Sequence, residues 1–123
     1  MNKEAKHMQK FNLLYWDFPK ELHNHIGGWT IKQNGRLTVM IDSLLSADKQ
    51  RFYLKHEIAH IALNHLNQPI PTGSEVVGSC WCISDLWEKE ADTYAELMTD
   101  DELAYFMEFA SCIKKIDTAH MLN

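Results

Sequence analysis

The sequence predicts an α+β fold, in which a small β-sheet with one hairpin packs on a central helix accompanied by two further helices. Three observations support this prediction. The Asn34-Gly35 pair separates two β-favouring runs, and Asn-Gly is the strongest short-range signal for a hairpin. The segment 52–66 is largely apolar with helical spacing. Two later segments, 86–98 and 99–113, show the same spacing.

Composition and charge limit the class of protein. The chain has 123 residues, 46% of them hydrophobic and 24% charged, which predicts one globular domain over residues 1–123. The net charge of −5 argues against a nucleic-acid-binding surface, which is usually basic. We find no run suited to a signal peptide or a membrane span, so we expect a cytoplasmic protein without membrane contact. In a reducing compartment, Cys80, Cys82 and Cys112 are expected to be thiols.

The first part of the chain predicts strands. Residues 11–18 mix aromatic and aliphatic side chains and end at a proline, which favours a short edge strand or an extended segment before a turn. Residues 29–33 and 36–42 flank Asn34-Gly35, and both turn residues tolerate a positive φ. A β-hairpin is therefore predicted over residues 28–42.

The central helix is predicted from Ser46, as its N-cap, to about Asn67. Its apolar side chains fall on two sides, which indicates a helix that packs on more than one face. One row consists of Leu54, Ile58, Ile61 and Ala62, and the other of Phe52, Ala59, Leu63 and Leu66.

Two more helices are predicted after a connection rich in proline and glycine. The second runs from Leu86 to about Met98, with Ser84 or Asp85 as its cap. The third begins near Thr99. The residues at helical spacing are most simply core residues: Trp87, Ala91, Tyr94 and Met98 in the second helix, and Leu103, Phe106, Met107, Ala110 and Ile113 in the third.

The central helix contains an H-E-x-x-H motif, formed by His56, Glu57 and His60. Residues four apart share a helix face, so the two imidazoles can reach one metal ion while Glu57 lies beside it. With seven His and nine Glu in the chain, about 0.03 accidental matches are expected. Two core histidines without a metal are the less favoured alternative, because buried imidazoles need polar partners.

A catalytic zinc site usually has three protein ligands, so a third ligand must come from elsewhere. We predict Glu88 on the second helix, with Asp92 on the same face accepting a hydrogen bond from a ligand histidine. Glu90 is turned about 200° from Glu88 and cannot share its role. For each acid the alternative is a solvated charge on the helix face, which we prefer for Glu90 and Glu96.

Other polar residues have simpler interpretations. His65 lies five residues after His60, off the ligand face, so we expect it to support the site or to pack near the helix end rather than to bind metal. Cys80 and Cys82 lack partners at zinc-finger spacing, so packed thiols are favoured over a second metal site.

The two motifs together resemble those of the ImmA/IrrE-type zinc metallopeptidases. That family has H-E-x-x-H followed by E-x-x-A-[ND]-x-[FY]-A before a Leu-Met pair, and the resemblance covers roughly residues 38–98. It implies that His56, His60 and Glu88 bind Zn²⁺ and that Glu57 is the general base. The sequence departs from the family at Thr99, where members often have a proline.

The resemblance also implies a function. Members of that family look like cytoplasmic proteases that cleave or inactivate a helix-turn-helix repressor of a mobile element or stress response. For this chain, the resemblance therefore implies a protein substrate of that kind. The alternative is a metal-containing binding module that sequesters a repressor without cutting it. The group that stabilises the oxyanion besides zinc is left open among His23, His25, Tyr15, Tyr94 and His120.

Overall fold

A computed structural model describes residues 7–23, 26–67 and 85–116. The predicted α+β class is confirmed: a four-stranded mixed sheet packs with helices. The elements are β1 (Phe11–Trp16), α1 (Lys20–His23), β2 (Gly28–Gln33), β3 (Arg36–Asp42), α2 (Ala47–Ala62), α3 (Asp85–Leu97), α4 (Asp100–Met107) and β4 (Ala110–Lys115), with a 3₁₀ turn at His65–Asn67. Among the described helices, none has the length and apolar character needed to cross a membrane.

The predicted hairpin is confirmed. β2 and β3 are antiparallel and joined by Asn34 and Gly35, whose φ angles are 51° and 78°. Positive φ at both positions is the geometry that favours Asn-Gly, and its twist matches that of the flanking strands.

The first strand lies inside the sheet, so the expectation of an edge strand was wrong. The strand order is β2-β3-β1-β4, and β1 is parallel to both of its neighbours. Pro19 lies beyond the end of β1 and therefore removes no ladder hydrogen bond. Phe11 and Leu13 are almost fully buried, as expected for an inner strand.

The helix α2 packs against the sheet and contributes buried side chains to the core. Ser46 is its N-cap, as predicted, because its Oγ accepts a hydrogen bond from Lys49 N at 3.3 Å. The helix ends at Ala62 rather than near Asn67, since Asn64 has a φ of 63° and turns the chain into the 3₁₀ segment. Buried side chains of α2, β1 and β3 form the central core: Leu13, Val39, Ile41, Leu54, Ile58 and Ile61.

The third predicted helix is shorter than expected, and its last part is a strand. α4 ends at Met107, and residues 110–115 form β4 beside β1. Ala110 and Ile113 therefore belong to a sheet edge, and Ile113 is 57% exposed. Helical spacing alone did not reveal that β1 offers this segment a hydrogen-bonding partner.

The second predicted helix is confirmed as α3, with Trp87, Ala91 and Met98 buried and Tyr94 half-buried. Cys112 is a partly buried free thiol. Several residues considered in the sequence lie outside the described residues: His25, Cys80, Cys82, Ser84 and His120.

Candidate metal centre

The two motif histidines face each other on α2. Their Nε2 atoms are 3.1 Å apart, and their rings are perpendicular, with centroids separated by 4.7 Å. Both residues are buried, with 5% of His56 and 2% of His60 exposed. The i, i+4 spacing thus brings two imidazole nitrogens to one point inside the protein.

The helix α3 brings Glu88 to the same point. Its Oε2 lies 2.9 Å from His56 Nε2, and its Oε1 lies 3.1 Å from His60 Nε2. Three ligands at zinc-bond lengths in a tetrahedral arrangement would be separated by about 3.3 Å. Small adjustments would therefore let these three groups hold a zinc ion.

Glu57 occupies a separate position beside the histidines. Its Oε1 accepts a hydrogen bond of 2.7 Å from the Thr30 hydroxyl on β2, and its Oε2 is 3.9 Å from His56 Nε2. A Cβ atom on Gly28 would come within 2.9 Å of Glu57 Cγ, so the glycine leaves room for this side chain. His56, Glu57 and His60 also form a compact set of possible ligands. Glu88 fits the third ligand position better, because its oxygens are closer to both Nε2 atoms.

Asp92 lies behind His56. Its Oδ1 is 2.7 Å from His56 Nδ1, although the ring N–H does not point along that line, so the contact is an ion pair rather than an aligned hydrogen bond. Asp92 is half-exposed and can adjust this geometry. The structure thus brings together all five residues singled out in the sequence: His56, Glu57, His60, Glu88 and Asp92.

The second motif histidine, His60, has a neighbour that the motif did not specify. His60 Nδ1 lies 3.0 Å from His65 Nδ1, and His65 is 3% exposed. His65 Nε2 is 3.6 Å from an oxygen of Glu90, so the expectation of a merely solvated Glu90 missed this contact. The signal in the sequence was Asn64, a residue that tolerates the left-handed conformation needed to bring His65 back to the helix.

The residues of the site shift one another's pKa values, some upward and some downward. Burial favours a lower pKa at His56, but the hydrogen bond to Glu88 and the charges of Glu57, Glu88 and Asp92 outweigh it and raise the pKa to about 9. For Glu88, burial is outweighed by hydrogen bonds from the two histidines, which lower its pKa to about 2. Burial raises the pKa of Glu57. Burial, with the neighbouring His60, lowers the pKa of His65 to about 4.

Two of the oxyanion candidates have defined surroundings away from the ligand atoms. His23 Nδ1 pairs with the buried carboxylate of Asp42 at 2.5 Å, and its ring lines a surface cavity of about 590 Å³ with Phe52 and Tyr53. Burial raises the pKa of Tyr15 on β1. Neither observation selects an oxyanion ligand.

Comparisons with protein-family models, with curated proteins and with solved structures found no match to this chain. The resemblance to the ImmA/IrrE-type metallopeptidases therefore depends on the motif residues.

Proposed function

We propose that this protein is a zinc-dependent endopeptidase that cleaves a specific intracellular protein. One observation carries the proposal: the Nε2 atoms of His56 and His60 and the carboxylate of Glu88 converge, while the second carboxylate, of Glu57, is held beside them by Thr30. A purely structural metal site has no need of that second acid. A hydrolase needs it as a general base.

The roles of the residues follow from their positions. His56, His60 and Glu88 would hold Zn²⁺, which supplies Lewis-acid polarisation of a peptide carbonyl and acidifies an attacking water. Glu57 accepts the proton of that water and delivers it to the departing amine. The hydrogen bond from Thr30 leaves the other oxygen of Glu57 available for this transfer.

The strand β2 offers a surface for an extended substrate. In the described sheet β2 is an edge strand, and it carries both Thr30 and Gly28, which contact Glu57. A peptide added to its outer edge would form backbone hydrogen bonds and pass close to the general base. A substrate-mimic complex in which the peptide makes no contact with β2 would contradict this part of the proposal.

We infer the substrate class from the motif resemblance: a helix-turn-helix repressor, with the one encoded beside this gene as the first candidate. The test incubates that repressor with zinc-saturated wild-type protein and with the variant Glu57→Gln. We expect the variant to bind zinc normally and to cleave about 10²–10⁴ times more slowly, because it lacks the base. Product mass spectrometry measures the cleavage.

The matched control is Glu96→Gln, which neutralises an exposed glutamate on α3 and should cleave at the wild-type rate. If Glu57→Gln releases the repressor from its operator as well as the wild type does, without cleavage by either protein, the chain is a binding module. Zinc binding with no effect on the repressor would exclude this substrate.

A further inference from the structure

His65 is buried against the metal centre without belonging to the ligand set. It follows α2 in the 3₁₀ turn, and 3% of its surface is exposed. Its Nδ1 atom faces His60 Nδ1 at 3.0 Å, on the side of the His60 ring opposite the ligand atom Nε2. This contact limits which tautomers the two rings can adopt.

The proton positions follow from this geometry. A neutral histidine that binds a metal through Nε2 carries its proton on Nδ1. His60 Nδ1–H therefore donates toward His65, and His65 Nδ1 must be unprotonated in order to accept. The proton of His65 then lies on Nε2, on the side of the Glu90 carboxylate, which is 3.6 Å away.

Neighbouring residues hold the His65 ring in this orientation. Its ring is stacked on Trp87, with centroids 5.1 Å apart and an angle of 7° between the planes. Trp87 and Glu90 lie one turn apart on α3, the helix that also carries Glu88. One helix thus carries both the proposed ligand Glu88 and the two side chains that contact the His65 ring.

A histidine that merely filled the core would account for burial and stacking. It would not account for a ring nitrogen directed at the Nδ1 atom of a ligand histidine. The two histidines are supported differently in the part of the chain that the structure describes, because Asp92 contacts His56 directly whereas Glu90 contacts His65, which in turn contacts His60.

We propose that His65 is a positioning residue of the metal centre, which accepts a hydrogen bond from the Nδ1–H group of His60 and is itself oriented by Trp87 and Glu90. This inference rests on the metal site of the proposed function. It adds a residue that fixes the orientation of His60 and raises its basicity as a ligand.

The first test measures zinc affinity by competition with a chromogenic chelator. His65→Phe keeps an aromatic ring on Trp87 but removes the acceptor, and we expect zinc binding to weaken about 10–100-fold. His65→Gln offers a carbonyl oxygen as acceptor and should recover most of the affinity. Glu90→Gln should cause a smaller loss, and the control Glu96→Gln should cause none.

The second test reads the proton positions directly. Long-range ¹H–¹⁵N NMR spectra of the zinc-loaded wild-type protein should show His60 protonated at Nδ1 and His65 at Nε2. A His65 ring protonated at Nδ1 overturns the inference. The inference is also overturned if His65→Phe and Glu90→Gln both bind zinc as tightly as the wild type. If His65→Phe does not fold, the zinc affinity of Glu90→Gln alone decides this test.

These outcomes are distinguishable from failure of the proposed function. A wild-type protein that binds zinc through His60 but cleaves no repressor removes the proteolytic function and leaves the role of His65 intact. If the wild type cleaves the repressor and His65→Phe binds zinc as tightly as the wild type, only the proposed role of His65 is excluded. A wild-type protein that binds no zinc overturns both.

Discussion

At the scale of residues, Glu57 and Glu88 lie beside the same two histidines, yet their pKa values are shifted in opposite directions. Hydrogen bonds from both histidines, acting against burial, lower the pKa of Glu88 to about 2, which keeps it ionised, as its proposed role as a ligand requires. Burial raises the pKa of Glu57, which suits an acid that must accept and return a proton. The two carboxylates have different hydrogen-bonding partners, which are His56 and His60 of α2 for Glu88 and Thr30 of β2 for Glu57.

The hydrogen bond from Thr30 to Glu57 gives a prediction at this scale. It favours the ionised form of Glu57, so Thr30→Val should raise the pKa of Glu57 further. We expect the acidic limb of the kcat/KM profile to move to higher pH, so that kcat/KM on that limb falls about tenfold, the effect of one charge-assisted hydrogen bond. Peptide cleavage measured across pH checks this.

Thr30→Ser serves as the conservative control, since it retains the hydroxyl and should restore the wild-type profile. Zinc affinity should be unchanged in both variants. An unaltered pH profile in Thr30→Val would mean that this hydrogen bond does not govern the general base.

At the scale of elements, α4 begins after Thr99, a position at which the ImmA/IrrE-type family, which this chain resembles, often has a proline. Thr99 is the N-cap, and its Oγ1 accepts a hydrogen bond from Glu102 N, while the Glu102 carboxylate accepts one from Thr99 N. This reciprocal capping box satisfies two backbone donors at the helix start. Arg51 of α2 also pairs with Asp100, and hydrogen bonding by Arg51 lowers the pKa of Asp100.

We predict that Thr99→Ala lowers the free energy of unfolding by about 1 kcal/mol, because it removes the capping side chain. Zinc affinity and cleavage should be unchanged, since Thr99 does not belong to the site. Urea unfolding monitored by circular dichroism measures the effect. Thr99→Ser should retain the stability, and an equal loss in that variant would show that the cap is not responsible.

The elements also show what the sequence could and could not predict. The hairpin was predictable because its signal, Asn34-Gly35, is local. The inner position of β1 and the existence of β4 were not, because each depends on pairing between segments about 100 residues apart in sequence. In the site, helix periodicity placed His56, His60, Glu88 and Asp92, whereas the contact of His65 depends on a single left-handed residue.

At the scale of the whole molecule, the candidate centre joins three parts of the fold. α2 supplies His56 and His60, α3 supplies Glu88, and β2 holds Glu57 through Thr30. The stability of the protein should therefore depend on the protonation of these groups and on zinc.

The metal-free protein should lose stability as the pH rises from 6.5 to 9. The folded protein binds more protons than the unfolded chain in this window, because the raised pKa of His56, from 6.5 to about 9, outweighs the lowered pKa of His65. We expect the free energy of unfolding to fall by about 2 kcal/mol. Urea unfolding with a chelator at both pH values measures it.

Zinc provides the first control for this prediction. Binding through His56 Nε2 requires the neutral ring, so zinc-saturated protein should lack this alkaline loss. Glu88→Gln should also reduce the loss, because it removes the hydrogen bond and one of the charges that raise the pKa of His56. Stability independent of pH in the metal-free wild type would contradict the assigned protonation.

Glu88 lies on α3, whereas the two histidines lie on α2. An ion held by His60 and Glu88 would act as a reversible crosslink between positions 28 residues apart in the sequence. Because the unfolded chain does not hold these groups together, the ion would bind the folded protein and stabilise it. The stability of the protein in a cell would then follow the supply of zinc, and a shortage of the metal would both abolish the proposed activity and favour degradation of the protein.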